Sequence, residues 1–139
     1  METQRETDLA AAVQDVLETS EGIVLAYLFG SVAKGCAGPL SDIDIAALAD
    51  RDAAGRDALG ALTDDLCRRL RTDRVDLVDL AKAPSHLAYR VIRDGRCLLC
   101  RDRRIKESFE VRTIMAYLDF KPVRDRAFAT ARRAILEAV

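Results

Sequence analysis

Two neighbouring groups of residues near the start of the chain have the types and spacing of a phosphate-binding and metal-binding site. Gly30 and Ser31 form a pair that follows an apolar run, and Asp42 and Asp44 come shortly afterwards. A glycine lets phosphate groups approach the backbone, and a helical turn after it offers free N–H groups to an anion. The Ser31 hydroxyl donates a further hydrogen bond. Gly-Ser is also common in ordinary turns, so the pair gains weight only beside the acids.

The two acids alternate with Ile43 and Ile45, as expected of a strand with one apolar face. Their carboxylates would lie on one face, about 7 Å apart along the backbone, and would repel each other without a cation between them. Mg²⁺ typically binds one or two protein carboxylates together with substrate phosphates. Alone, the acids are more typical of a solvated strand edge; beside Gly30 and Ser31 they predict a metal site.

A third acid would complete the site, and Asp76 and Asp79 both lie on a later apolar segment. If Asp76 faces the site, Val75 and Leu77 face the same apolar layer as the isoleucines of the first acidic strand. If Asp79 faces the site, those apolar residues turn toward the metal. The alternation therefore favours Asp76 and leaves Asp79 as the alternative at the strand end.

The elements that must position these residues follow from hydrophobic periodicity, which predicts an α/β (α+β) domain with a small sheet whose one face is covered by helices. The strands are predicted at Ile23–Phe29, Asp42–Leu48, Arg74–Leu80 and, as a short edge strand, Cys97–Cys100. The helices are predicted at about Thr7–Glu18, Val32–Cys36 (a single turn), Asp50–Arg71, Pro84–Arg93, Arg103–Tyr117 and Val123–Ala138, with Pro122 at the break between the last two. Leu118, Phe120 and Phe128 are expected to pack these C-terminal helices, with a surface for a partner as the alternative.

Composition bounds the remaining function classes. The chain has 139 residues, which suits one domain, and 22 Lys and Arg against 23 Asp and Glu give no basic excess for binding nucleic acid. No segment reaches the roughly 20 apolar residues of a membrane span, and the polar N-terminus lacks a signal sequence, so we expect a cytoplasmic protein. Cys97 and Cys100 have the spacing of a zinc or thiol-exchange pair, but a structural strand is favoured because no second pair follows.

Together, Gly30-Ser31, Asp42-x-Asp44 and Val75-Asp76-Leu77 resemble the motif set of the DNA polymerase β-like nucleotidyltransferase superfamily. The short length and the layout are similar to its minimal nucleotidyltransferase branch, and in particular to MntA-type antitoxins paired with HEPN ribonuclease toxins. The resemblance implies one minimal nucleotidyltransferase domain over residues 1–139, with a catalytic core at about 20–100 and C-terminal helices at about 103–138.

The resemblance further implies an adenylyltransferase that uses ATP and two Mg²⁺ ions to modify a tyrosine hydroxyl of a partner HEPN toxin. Asp42, Asp44 and Asp76 would be catalytic and would hold the metal ions, while Gly30, Ser31 and Lys34 would bind the nucleotide. Lys34 stands where this branch often has arginine, and it offers only a point charge to a phosphate. Two other functions remain open: an antitoxin that acts by binding alone, and a small-molecule nucleotidyltransferase of the aminoglycoside-modifying kind.

Overall fold

The computed structural model describes residues 2–30, 42–52 and 57–137, which form four strands and four helices. The helices are α1 (Glu2–Thr19), α2 (Ala58–Leu70), α3 (Ser85–Asp94) and α4 (Arg103–Glu137). The strands are β1 (Ile23–Phe29), β2 (Ile43–Ala49), β3 (Val75–Asp79) and β4 (Arg96–Cys100). The turn predicted at Val32–Cys36 lies outside the described residues. Within the described residues, no helix is both long enough and apolar enough to cross a membrane.

The four strands form one mixed sheet in the order β3-β2-β1-β4. The central strand β1 pairs antiparallel with β2 and with β4, whereas β2 and β3 pair in parallel. A parallel pair needs a crossover connection, and α2 lies in the segment between β2 and β3. The mixed α/β architecture predicted from the sequence is confirmed.

Helices cover both faces of the sheet, so the prediction that they cover one face is wrong. On one face, α1 and α2 bury a cluster that includes Val13, Leu62 and Ile45. On the other, α3 and α4 contribute Val91 and Phe109 to a second buried cluster. The physical reason lies in β1, whose near-continuous apolar run presents hydrophobic side chains to both sides, as in strands buried on two faces.

The C-terminal segment forms one helix, α4, with Pro122 inside it, so the predicted break into two helices is wrong. A proline in a helix removes one hydrogen bond and crowds the preceding turn, but helix-forming residues on both sides continue the helix past it. From Leu118 to Glu137 every described side chain is exposed, including Phe120 and Phe128. The expected packing of these residues against the domain is therefore also wrong.

Arg101 closes the fold at the end of β4. Its guanidinium donates a 2.8 Å hydrogen bond to the Ile23 carbonyl, and further bonds of 3.0–3.1 Å reach the carbonyls of Leu17, Glu18 and Ser20. The last carbonyls of a helix have no partner within the helix, so one side chain satisfies the end of α1 and joins it to β1. The predicted edge strand beside it is confirmed as β4, and Cys97 and Cys100 are free thiols.

Candidate active site

Asp44 and Asp76 face each other across the parallel pair of strands. Asp44 on β2 is the register partner of Asp76 on β3, and the pairing continues with Ile45 opposite Leu77. Ile43 and Ile45 belong to the apolar cluster under α1 and α2, and Leu77 packs against it. Since side chains alternate along a strand, both carboxylates stand on the opposite face.

Asp42 precedes β2 and is exposed, while Asp44 is half-buried. Burial raises the pKa of the Asp44 carboxyl above its ordinary value of 3.8, and the charges of Asp76 and Asp42 raise it further. Repulsion among the three acids therefore contributes to the free-energy cost of ionising Asp44. A bound cation would remove that repulsion.

The donor set fits Mg²⁺ in chemical type, because carboxylate oxygens are its preferred protein ligands. Among the described residues, however, no three potential ligands stand close enough to form a complete metal-binding group. Mg²⁺ usually takes one or two protein carboxylates and completes its shell with water and substrate phosphates. The arrangement therefore suits an ion that arrives with a phosphate-bearing substrate better than a permanently caged one.

Gly30 touches the acidic site directly. It follows β1, whose last residue Phe29 is the register partner of Asp44, and its backbone has a φ of +76°. A Cβ at this position would overlap Oδ2 of Asp44 and come within 3.0 Å of its Cγ. Only glycine combines this left-handed conformation with such close approach. The site thus joins the end of β1 to the acids of β2 and β3, while Ser31 and Lys34 lie outside the described residues.

Asp79, the alternative third acid, has a local role. Its register partner is Ala47, which belongs to the apolar cluster under α1 and α2 and so lies on the face away from Asp44. Its Oδ1 accepts a 2.9 Å hydrogen bond from the backbone N–H of Ala81, which fixes the turn after β3. This placement separates Asp79 from the Asp44–Asp76 pair.

One polar contact near the site was not anticipated from the sequence. The Tyr27 hydroxyl donates a 2.7 Å hydrogen bond to Oε1 of Glu110, which connects the central strand to α4. Burial, followed by this bond and the charge of Glu110, raises the pKa of Tyr27 well above its usual range. A tyrosine within an aliphatic strand signals a hydrogen-bond partner, but nothing in the sequence identifies Glu110 as that partner.

Comparisons with known proteins identify relatives of this chain. Over 93 residues the chain is 41% identical to the protein adenylyltransferase MntA of Shewanella oneidensis, and the alignment covers 67% of this chain and 65% of that protein. The matched segment is thus slightly under two thirds of the relative's length.

Solved structures extend the similarity over most of the chain. One is a crystal structure of a toxin–antitoxin with AMP-PNP, with a TM-score of 0.72, 32% identity, and coverage of 88% of this chain and 98% of the matched one. Another is the tri-AMPylated HEPN toxin of Shewanella oneidensis in complex with MNT antitoxin, with a TM-score of 0.63, 30% identity, and coverage of 95% and 99%.

A family model provides the assignment. The polymerase β nucleotidyltransferase model matches residues 11–104, a range that contains the second half of α1, the whole sheet, Gly30 and all three acids. The chain belongs to the polymerase β nucleotidyltransferase family.

Proposed function

We propose that this protein is a cytoplasmic antitoxin that transfers AMP from Mg·ATP to a tyrosine hydroxyl of a partner HEPN-type toxin. We further propose that residues 1–139 act as one minimal nucleotidyltransferase unit, with its catalytic core at about 20–100. The observation that carries the proposal is the pairing of Asp44 with Asp76, with Gly30 pressed against Asp44.

The site residues divide into metal-binding and nucleotide-binding groups in this reaction. Asp42, Asp44 and Asp76 would hold Mg²⁺, which, when bound, neutralises the charge of the phosphates. Gly30 leaves room for the triphosphate beside Asp44, and Ser31 and Lys34 would contact it. The tyrosine oxygen attacks the α-phosphorus, the bond from that phosphorus to the bridging oxygen breaks, and pyrophosphate leaves. Asp76, on the exposed edge strand, accepts the hydroxyl proton.

A protein partner is supported by the exposed apolar surface of α4. Val111, Met115 and Leu118 are 54–60% exposed, and Phe128 is 70% exposed. Large exposed apolar patches on a soluble domain mark interaction sites. The similar chains that come from toxin–antitoxin complexes support the same class of partner.

The test is transfer of label from α-³²P-ATP to the product of the neighbouring gene in the presence of Mg²⁺. Wild-type protein should label the partner, and tyrosine should carry the label after digestion. Asp44→Asn and Asp76→Asn should reduce labelling by at least about 100-fold, because each removes a metal-binding charge from the site. Both variants should still bind the partner.

Asp79→Asn is the matched control. It changes the same functional group on the same strand, and its amide oxygen still accepts the bond from Ala81. It should label the partner at the wild-type rate. Labelling that survives Asp44→Asn would refute the proposed catalytic site.

A second function, neutralisation by binding alone, is favoured specifically by the exposed apolar face of α4. In that case the Asp44→Asn protein would protect cells from the toxin as well as wild type does. The purified protein would also inhibit the toxin without ATP. The small-molecule alternative would instead require AMP transfer to a hydroxylated compound with no protein partner present.

A further inference from the structure

A cavity of about 710 Å³ lies away from the acidic site, between the ends of β2 and β3, the start of α3, and α4. Its size falls within the range of small-molecule sites, roughly 300–1,000 Å³. Leu48 lines the cavity four residues after Asp44, which places it about 13 Å farther along β2. Val91 of α3 packs with Ala46 over the sheet between the two regions. The cavity is therefore a separate site.

The floor of the cavity is apolar. Leu80, Ala88 and Phe109 line it, and each is at least nine-tenths buried. These residues also belong to the cluster that holds α3 and α4 on the sheet. The floor is thus a rigid part of the core.

Three hydroxyl groups line this apolar space without protein partners. Thr113 is only 8% exposed, yet its side chain makes no hydrogen bond to any other residue that the structure describes, and the same holds for the side chains of Ser85 and Ser108. Among the described residues no fully buried side-chain polar atom lacks a hydrogen-bond partner, so the Thr113 hydroxyl is open to the cavity. A ligand that supplies an acceptor can therefore bond to it.

The charges around the cavity are mostly positive. Arg51, Arg104 and Arg112 line it, and among the described lining residues Asp50 alone carries a carboxylate. Within the described parts of the chain none of the three arginines has an ion pair, and the Arg112 Nε–H donates only a 3.4 Å bond to the Ser108 carbonyl.

Other cations of α4 are paired. Arg103 contacts Glu107 at 3.2 Å, and Lys106 contacts Glu110 at 3.6 Å. The cations left without a carboxylate at the start of this helix are therefore those that line the cavity.

We propose that this cavity binds a small amphipathic anion, an apolar chain or ring that carries a carboxylate or phosphate. The apolar part lies on Leu80 and Phe109, the anionic group pairs with Arg104 and Arg112, and Thr113 donates a hydrogen bond. The proposal does not depend on nucleotidyl transfer, since none of these residues belongs to the acidic site.

The test is an NMR titration of the ¹⁵N-labelled full chain with octanoate and with octanol, which have equal chain length and differ in charge. Octanoate should give saturable shifts at the amides of Ser85, Ser108 and Thr113, with an affinity at least about tenfold above that of octanol. Octyl phosphate and AMP, run in parallel, distinguish a phosphate from a carboxylate and a ring from a chain; binding of either at these amides also supports the site.

Variants then test which arginines bind the anionic group of the ligand. Arg104→Gln and Arg112→Gln should each weaken octanoate binding about tenfold, whereas Arg103→Gln, next to Arg104 but paired with Glu107, should not change it. Equal affinity for octanoate and octanol in the wild-type protein would overturn the proposal, whatever the variants do. So would shifts confined to Leu118–Glu137, or equal effects of Arg103→Gln and Arg104→Gln.

Discussion

Gly30 and Asp44 constrain each other through space, although Gly30 follows β1 and Asp44 lies on β2. The backbone of Gly30 has a φ of +76° and leaves no room for a Cβ beside the Asp44 carboxylate. Two features therefore require glycine at this position: its left-handed backbone conformation and the close approach of the Asp44 side chain. A phosphate that approaches this backbone also approaches the acids.

Gly30→Ala should unfold more easily by about 1–2 kcal/mol, because the left-handed conformation is costly for alanine and its methyl group displaces Asp44. Nucleotidyl transfer should fall more steeply than stability, by at least about 100-fold. Urea unfolding and the labelling assay measure the two effects. Gly60→Ala is the control: a Cβ there meets nothing within 4 Å in α2, so it should stabilise the protein by about 0.5–1 kcal/mol. An active Gly30→Ala protein would contradict this interpretation.

Asp44→Asn should stabilise the metal-free protein at neutral pH. The folded-state pKa of Asp44 is raised, so the folded protein holds this proton more tightly than the unfolded chain does. Wild type should therefore lose stability relative to Asp44→Asn as the pH rises from about the ordinary value of 3.8 through the raised pKa, and the difference should then stay constant.

Thermal unfolding in EDTA between pH 3.5 and 8 measures this difference, which we expect to reach about 2–4 °C in Tm. Mg²⁺ with ATP should raise the Tm of wild type and leave that of Asp44→Asn nearly unchanged. A variant that is less stable than wild type at pH 7 in EDTA would contradict the view that burial and the neighbouring acids raise the pKa of Asp44.

At the scale of elements, Arg101 joins α1, β1 and β4 through one side chain. Arg101→Ala leaves four carbonyls without this donor and should lower the free energy of unfolding by about 2 kcal/mol. Arg101→Lys should recover only part of the loss, since one ammonium group cannot fork toward four acceptors.

Urea unfolding checks this prediction, with Arg103→Ala as the control. The Arg103 side chain is 88% exposed and its pair with Glu107 is on the surface, so its loss should change stability by less than about 0.5 kcal/mol. Equal effects of Arg101→Ala and Arg103→Ala would show that the carbonyl contacts contribute little.

The strands and the relation between the acids were predictable from the sequence, because alternation is a local property. Ile43 and Ile45 indicated which face of β2 is apolar, and the same parity placed Asp76 rather than Asp79 beside Asp44. That these acids bind metal stays a prediction. Residues 31–41, which include Ser31 and Lys34, lie outside the described residues.

Helix ends were less predictable because their usual signals are absent. Asp57 precedes α2 but makes no side-chain capping bond, and α2 ends at Arg71 in a left-handed conformation where glycine would be expected. The helix begins at Ala58, so the predicted start at Asp50 was too early. The second helical layer was missed because it depends on which elements meet in space, and Tyr27 and Glu110 are far apart in sequence.

At the scale of the whole molecule, α4 divides into a packed and an unpacked part. Phe109 and Thr113 are buried against the domain, and Tyr117 stacks on Tyr89 of α3 with ring centroids 4.0 Å apart. Beyond Tyr117 the helix continues, and its apolar side chains that the structure describes are all exposed.

The double variant Leu118→Glu and Phe128→Glu should keep the stability of wild type within about 0.5 kcal/mol, because both side chains are 56–70% exposed. Its affinity for the partner toxin should fall at least about tenfold, measured by titration calorimetry. Thr130→Glu, which adds a negative charge at a polar exposed position of the same helix, should bind normally. A large loss of stability in the double variant would show that these residues pack on their own domain after all.

The continuity of α4 through Pro122 gives the molecule a fixed reach. From Leu118 to Glu137 the helix spans about 30 Å at 1.5 Å per residue, and its root is anchored by the Tyr89–Tyr117 stack. Under the proposed function, a partner bound along this part of the helix would present to the acidic site only a hydroxyl that lies at the matching distance. The length of the helix would then help to select the residue that is modified.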